Sequence, residues 1–192
     1  MDEQEEFFYG DLKDVKIIDN FFSPETYARI VDYVDRTYTY AQPEDKSPTH
    51  WEPGHKSTGD LGAVSWFWTN VISDIKLFNT DVLEEIKKTL NLNFELDRVY
   101  FNGMNFGQNA QFHFDDNEED MFTFLSYILP VYDMEWGGQT VFVDGYRRDL
   151  SILPVPNRAV IFPSRLVHKA QPFSDATAPM RVSLAYKLKL IK

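Results

Sequence analysis

The chain has 192 residues, of which 43% are hydrophobic and 16% aromatic, a composition typical of a folded domain with a sizeable core. It contains no cysteine, which excludes disulfides, zinc–thiolate sites and cysteine nucleophiles. Its formal net charge of −11 disfavours general binding to the phosphate backbone of nucleic acids. We therefore predict a single domain over residues 1–192 and no nucleic-acid partner.

The N-terminal residues, Met1 to Glu6, are acidic where a secretory signal would be basic and then apolar. No apolar run approaches the roughly 20 residues of a membrane-spanning helix. We expect residues 1–12 to form a flexible arm, and we expect a soluble, cytoplasmic protein that has no membrane partner.

Two helices are predicted in the first half of the chain. The first follows Phe22, because Ser23 suits the N-cap position and Pro24 suits the first turn. Apolar residues at helical spacing form its expected buried stripe: Tyr27, Ile30, Val31 and Val34. Asp81 is predicted to cap the second helix. The apolar face expected for that helix is Val82, Leu83, Ile86 and Leu90.

Residues 40–60 are interrupted repeatedly by proline and glycine and show no periodicity, which predicts a long loop. Two interpretations remain open for it. It forms either a mobile flap over a binding site, with Trp51 as an aromatic contact, or a surface loop remote from any site. In the aromatic stretch that follows, Trp66, Trp68 and Val71 are expected to belong to the core.

From Leu96 onward, short runs rich in β-branched and aromatic residues alternate with turn residues and predict a series of strands. The predicted strands are 97–105, 110–115, 121–129, 139–143, 149–153, 158–162, 166–169 and 180–188. Helices followed by many strands predict an α+β, mainly β fold with helices packed on one side of a β-sandwich or barrel.

A candidate metal site begins at His113-Phe114-Asp115. If residues 110–115 form a strand, His113 and Asp115 point to the same face. A third ligand is available in His168, in a later strand-like run. Two histidines and one carboxylate with open positions are the arrangement of non-haem Fe(II) oxygenases. The alternative is an ordinary hydrogen-bonded surface pair, which is the commoner origin of an isolated His-x-Asp.

A second candidate group lies near the C-terminus, in the run from Arg181 to Tyr186. On a strand, Arg181 and Ser183 share one face, while Val182 and Leu184 share the other with Tyr186. A guanidinium beside a hydroxyl can bind a carboxylate, because the planar fork is bidentate and the hydroxyl adds a donor. The alternative is an arginine paired with a surface acid.

In this order, the motifs resemble those of the Fe(II)/2-oxoglutarate-dependent dioxygenases, particularly the prolyl 4-hydroxylase-like branch. The resemblance extends over most of the chain. It includes the segments 15–25, 124–129, 136–142 with its Gly137-Gly138 pair, and 157–164 ahead of His168. This resemblance implies a double-stranded β-helix, a jelly-roll or cupin-like core.

The resemblance also implies roles for the two candidate groups. His113, Asp115 and His168 would hold Fe(II). Arg181 and Ser183 would bind the remote carboxylate of 2-oxoglutarate, whose other end would chelate the iron. O2 would be the second co-substrate, with ascorbate as an accessory reductant. The presence of the carboxylate of Asp115 favours hydroxylation over halogenation.

Other residues are candidates for assisting 2-oxoglutarate: Tyr127, Asn102 and Tyr100. Thr140 and Phe142 belong either to the pocket or to the core. We expect a hydroxylase that releases succinate and CO2 and acts on a small molecule or peptide, such as a prolyl residue or another amino-acid-like substrate. The alternatives are a nucleobase demethylase of the same superfamily and a non-catalytic metal- or ligand-binding module. The sequence leaves the substrate and the oligomeric state open.

Overall fold

The computed structural model describes residues 10–39, 51–53 and 67–191. Its helices are α1 (Pro24–Thr39) and α2 (Leu83–Leu90), the second continuing a wider helical turn at Leu77–Val82. The strands of these residues are β1 (Lys16–Ile18), β2 (Glu52–Pro53), β3 (Trp68–Val71), β4 (Phe94–Met104), β5 (Met121–Tyr127), β6 (Thr140–Val143), β7 (Asp149–Ile152), β8 (Ala159–Pro163), β9 (Val167–Ala170) and β10 (Arg181–Leu190).

The strands form two antiparallel sheets. The larger has the order β1-β8-β5-β10-β4-β3-β2, and the smaller has the order β7-β6-β9. One core lies between the larger sheet and the helices, and a second core joins Leu125 and Val160 of the larger sheet to Phe142 of the smaller. This arrangement confirms the predicted mainly β, double-stranded β-helix with helices on one side.

The side chains of strand β10 alternate between the two faces of the larger sheet. Val182, Leu184 and Tyr186 pack into the core beneath the helices. The residues between them line a cavity on the opposite side: Arg181, Ser183, Ala185 and Lys187. The alternation predicted for this strand is confirmed, because a period of two is unavoidable in extended backbone.

Helix α1 begins as the sequence predicts. The Ser23 hydroxyl accepts the backbone N–H of Thr26 at 3.2 Å, and Ile30 and Val34 are buried. The second helical segment begins before Asp81, so the predicted cap is wrong. Phe78 and Val82 are fully buried and hold the earlier turn against the core, so the helical segment extends further toward the N-terminus than the Val82-to-Leu90 pattern indicated.

Two further expectations are corrected. Residues 110–115 form no strand. Only His113 makes a β-bridge there, to His168, and the side chains of Phe112 and Phe114 are exposed. Val71, expected in the core, is 66% exposed at the edge of the cavity, because its strand turns alternate side chains toward the opening.

The predicted flap at 40–60 lies outside the described residues except for 51–53. There, Trp51 is partly buried and packs against the core beneath the helices, with 6.2 Å between its ring centre and that of Phe101. Most of the predicted arm at 1–12 also lies outside them, although Leu12 packs against the second core. Within the described ranges, no helix is long and apolar enough to cross a bilayer, and a cytoplasmic location stays a prediction.

Candidate active site

A cavity of about 390 Å³ lies between the two sheets, in the size range of small-molecule sites. Strands β4, β5 and β10 supply one wall, and β6 and β9 supply the other. Seven of the eight predicted candidates line it, all except Tyr127: His113, Asp115, His168, Arg181, Ser183, Asn102 and Tyr100. Residues from well-separated parts of the chain therefore become neighbours in the folded protein.

The first polar group of the cavity consists of His113, Asp115 and His168. Reciprocal backbone hydrogen bonds join the two histidines, with His113 N–H to His168 O at 3.0 Å and His168 N–H to His113 O at 2.8 Å. The backbone N–H of Asp115 donates to Ser164 O at 2.7 Å. One potential ligand atom from each of the three side chains lies within 4.8 Å of the others.

Both histidine rings are oriented by backbone carbonyls. Nδ1 of His113 donates to Gln111 O at 2.9 Å, and Nδ1 of His168 donates to Leu166 O at 2.9 Å. Because a carbonyl oxygen can only accept, the proton is on Nδ1, and each Nε2 lies 3.6 Å from an oxygen of Asp115. Burial lowers the pKa of His168 to about 4, so its ring is neutral at neutral pH. This donor set fits a divalent first-row metal.

The carboxylate of Asp115 is itself held by two residues of the larger sheet. Thr123 donates its hydroxyl to Oδ2 at 2.7 Å, and the ammonium of Lys187 makes an ion pair with the same oxygen. Although burial alone would raise the pKa of Asp115, Lys187 and the two histidines hold it well below its ordinary value. The sequence interpretation missed Thr123 and Lys187. The sequence did contain a signal for Lys187. Side chains of β10 alternate between two faces, and Lys187 lies on the same face as Arg181.

The second polar group is centred on Arg181, whose side chain is 1% exposed. Its Nε donates to Gly138 O at 2.7 Å, and its Nη2 donates to the hydroxyl of Thr140 at 2.9 Å. The ring of Tyr127 lies 5.3 Å from the guanidinium carbon, and the Tyr127 hydroxyl also donates to Thr140, at 2.8 Å. Among the described residues no carboxylate forms an ion pair with Arg181. A buried cation without an anionic partner is costly, so this geometry favours an anionic ligand.

The remaining candidates surround these two groups. Ser183 lies opposite Asn102 on β4 and Tyr127 on β5. The side-chain oxygen of Asn102 is buried without a hydrogen-bond partner in the described structure. Thr140 lines the cavity, whereas Phe142 belongs to the second core and stacks on the ring of His168 at 5.7 Å.

The Gly137-Gly138 pair lets the backbone reach Arg181. Gly138 has a φ of +78°, and a Cβ at this position would lie 2.5 Å from the ring of Phe173. We therefore expect Gly138→Ala to destabilise the protein by about 1–3 kcal/mol, as measured by urea unfolding. Gly107→Ala is the matched control, because Gly107 has a φ of +79° with no atom within 4 Å of the added Cβ. Equal destabilisation by both variants would mean that backbone strain accounts for the whole effect and that the contact with Phe173 adds nothing.

Comparison with known proteins gives one family match and several structures of similar fold. Residues 99–186 match the 2OG-Fe(II) oxygenase superfamily. No curated protein sequence gives a significant match. A prolyl-4-hydroxylase from Pseudomonas putida has a similar structure, with a TM-score of 0.68, 17% identity and coverage of 92% of both chains.

Two further solved structures share the fold. A prolyl hydroxylase from Trichoplax adhaerens, in complex with a peptide fragment of the hypoxia inducible factor oxygen degradation domain, has a TM-score of 0.70 and 17% identity. That match covers 93% of this chain and 84% of the other. AviO1 from Streptomyces viridochromogenes Tue57 has a TM-score of 0.66 and 12% identity, with coverage of 96% and 92%. At these identities the matches show the fold.

The family match over residues 99–186, together with the shared fold, supports the 2OG-Fe(II) oxygenase superfamily that the resemblance of the motifs predicted. Fe(II), 2-oxoglutarate and O2 are the cofactor and co-substrates that this family match implies, and the His-Asp-His cluster is consistent with them.

Proposed function

We propose that the chain is an Fe(II)- and 2-oxoglutarate-dependent hydroxylase. In this proposal His113, Asp115 and His168 hold the iron, and Arg181 and Ser183 bind the remote carboxylate of 2-oxoglutarate. The observation that carries the proposal is the buried guanidinium of Arg181, without a carboxylate partner in the described structure, in the same cavity as the three metal-ligand side chains.

The donors around Arg181 suit one carboxylate. A guanidinium has five N–H donors, and the hydrogen bonds to Gly138 and Thr140 use only part of them. These two bonds, with Tyr127 stacked on the guanidinium, hold the fork in one orientation. Ser183 lies on the same face of β10 and adds a hydroxyl donor. A planar fork held in this way binds a carboxylate through two hydrogen bonds.

Each histidine would contribute its Nε2 atom, and Asp115 would contribute the negative charge that a divalent cation requires. When bound, Fe(II) activates O2, and oxidative decarboxylation of 2-oxoglutarate to succinate and CO2 supplies the oxidant for hydroxylation of a substrate carbon. Leu125, Phe162 and Ala185 give the cavity apolar walls, which exclude water from the reacting groups.

For the substrate we propose an amino-acid-like compound, either free or within a peptide. Two structural neighbours are prolyl hydroxylases at 17% identity, one of them in complex with a peptide, and this supports but does not specify a prolyl substrate. The net charge of −11 counts against nucleobase demethylation.

The test is succinate formation from 2-oxoglutarate with Fe(II), O2 and ascorbate, followed by mass spectrometry of candidate amino acids and peptides for the gain of one oxygen atom. We expect succinate in the presence of Fe(II), and more when a substrate is added. Binding of Mn(II) and 2-oxoglutarate without turnover would identify a non-catalytic module instead. Absence of 2-oxoglutarate binding would contradict the proposal.

A further inference from the structure

Lys187 is a buried lysine within the candidate site, with a side chain that is 3% exposed. Its ammonium pairs with Oδ2 of Asp115, donates to the hydroxyl of Thr123 at 3.1 Å and lies 5.7 Å from the ring centre of Tyr100. Asp115 is the one carboxylate in the described ranges that makes an ion pair with it. Because burying an ammonium is costly unless it is paired, its position is tied to Asp115.

The two oxygens of Asp115 have different surroundings. Oδ2 receives the hydroxyl of Thr123 at 2.7 Å as well as the ammonium of Lys187, and it lies 3.6 Å from Nε2 of His168. Oδ1 faces Nε2 of His113 at 3.6 Å, and no described donor lies within hydrogen-bond distance of it. Each oxygen therefore faces one histidine, but Oδ2 also receives two donors from the larger sheet, whereas Oδ1 has no such donor among the described residues and keeps its lone pairs for a metal.

We propose that Lys187 is a positioning residue that, with Thr123, holds Oδ2 of Asp115 and leaves Oδ1 as the oxygen of this carboxylate that joins the two histidines in binding the metal. The inference rests on the proposed function, since it assumes a metal at this cluster. Thr123 alone would leave the carboxylate free to turn about one hydrogen bond, whereas a second, charge-assisted bond fixes its plane. Lys187 also shares a face of β10 with Arg181, so one strand positions both groups of the cavity.

If Lys187 acted only as a counter-charge to Asp115, its removal would have the opposite effect on metal affinity. An ammonium this close to the cluster repels a divalent cation, so a lysine acting only as a counter-charge should weaken metal binding. Loss of a residue that orients a metal ligand typically lowers metal affinity 10- to 100-fold. The sign of the change in metal affinity therefore separates the two roles.

The test uses Co(II), whose visible spectrum reports the number and geometry of its ligands, titrated into the full chain without 2-oxoglutarate. For Lys187→Met we expect Co(II) affinity to fall about 10- to 100-fold, with an altered band shape. Lys187→Arg keeps the positive charge and the N–H donors, so it should retain most of the Co(II) affinity and most of the wild-type band shape. Lys189→Met is the control, because Lys189 is on the same strand but is 43% exposed and pairs with Glu118.

If Lys187→Met does not fold, Thr123→Val removes the other donor to the same oxygen and should change the spectrum in the same way. Co(II) affinity that is equal or higher in Lys187→Met, with a wild-type spectrum, would overturn the positioning role and leave the proposed function intact. Absence of Co(II) binding to the unaltered protein would overturn the proposed function itself.

Discussion

Replacement of His168 by alanine is expected to abolish Fe(II)-dependent formation of succinate from 2-oxoglutarate. The imidazole supplies one of three potential ligand atoms that lie within 4.8 Å of one another, and two remaining ligands hold a divalent metal poorly. The fold should survive, because the hydrogen bonds between His168 and His113 use backbone atoms that alanine retains. His113→Ala should behave in the same way. Succinate formation and Mn(II) affinity, measured together, check this expectation.

Lys169→Ala is the control for this experiment. Lys169 is the next residue on β9, and its ammonium lies over the exposed ring of Phe112 and does not line the cavity. We expect nearly unchanged succinate formation in that variant. Retention of Fe(II)-dependent turnover by His168→Ala, with an intact fold, would show that the metal is held elsewhere and would contradict the proposed site.

Replacement of Arg181 by methionine should raise the 2-oxoglutarate concentration needed for half-maximal turnover about 10- to 150-fold. This range corresponds to the loss of charge-assisted hydrogen bonds worth about 1.5–3 kcal/mol. The requirement for Fe(II) should change much less, because Arg181 does not belong to the metal cluster. Turnover is measured as a function of 2-oxoglutarate at saturating Fe(II), and then as a function of Fe(II) at saturating 2-oxoglutarate. The two half-maximal concentrations are compared between variant and unaltered protein.

Two further variants sharpen this measurement. Arg181→Lys keeps the charge but loses the planar fork, so it should recover only part of the affinity. Ser183→Ala should act in the same direction as Arg181→Met but more weakly, because it removes one neutral donor. Parallel loss of 2-oxoglutarate and Fe(II) affinity in Arg181→Met would indicate misfolding, which thermal unfolding of the variant would reveal.

Much of this fold could be predicted because its signals are local. Ser23 and Pro24 mark the start of α1 through their own backbone chemistry. Arg181 and Ser183 share a face because side chains of extended backbone alternate. The start of the second helical segment was predicted wrongly because contact of Phe78 with the core extends that segment, and local capping preferences do not register such a contact.

The sequence by itself determined which residue types were available and in which order: a His-x-Asp pair, a later histidine, and an arginine with a serine two residues on. Only the tertiary structure decided how they meet. His113 lies near His168 through a bridge between distant segments, although the strand expected around it does not form. Lys187 reaches Asp115 because the register of β10 places it opposite Thr123. Strand register and burial depend on contacts between residues far apart in the chain, and local patterns do not encode them.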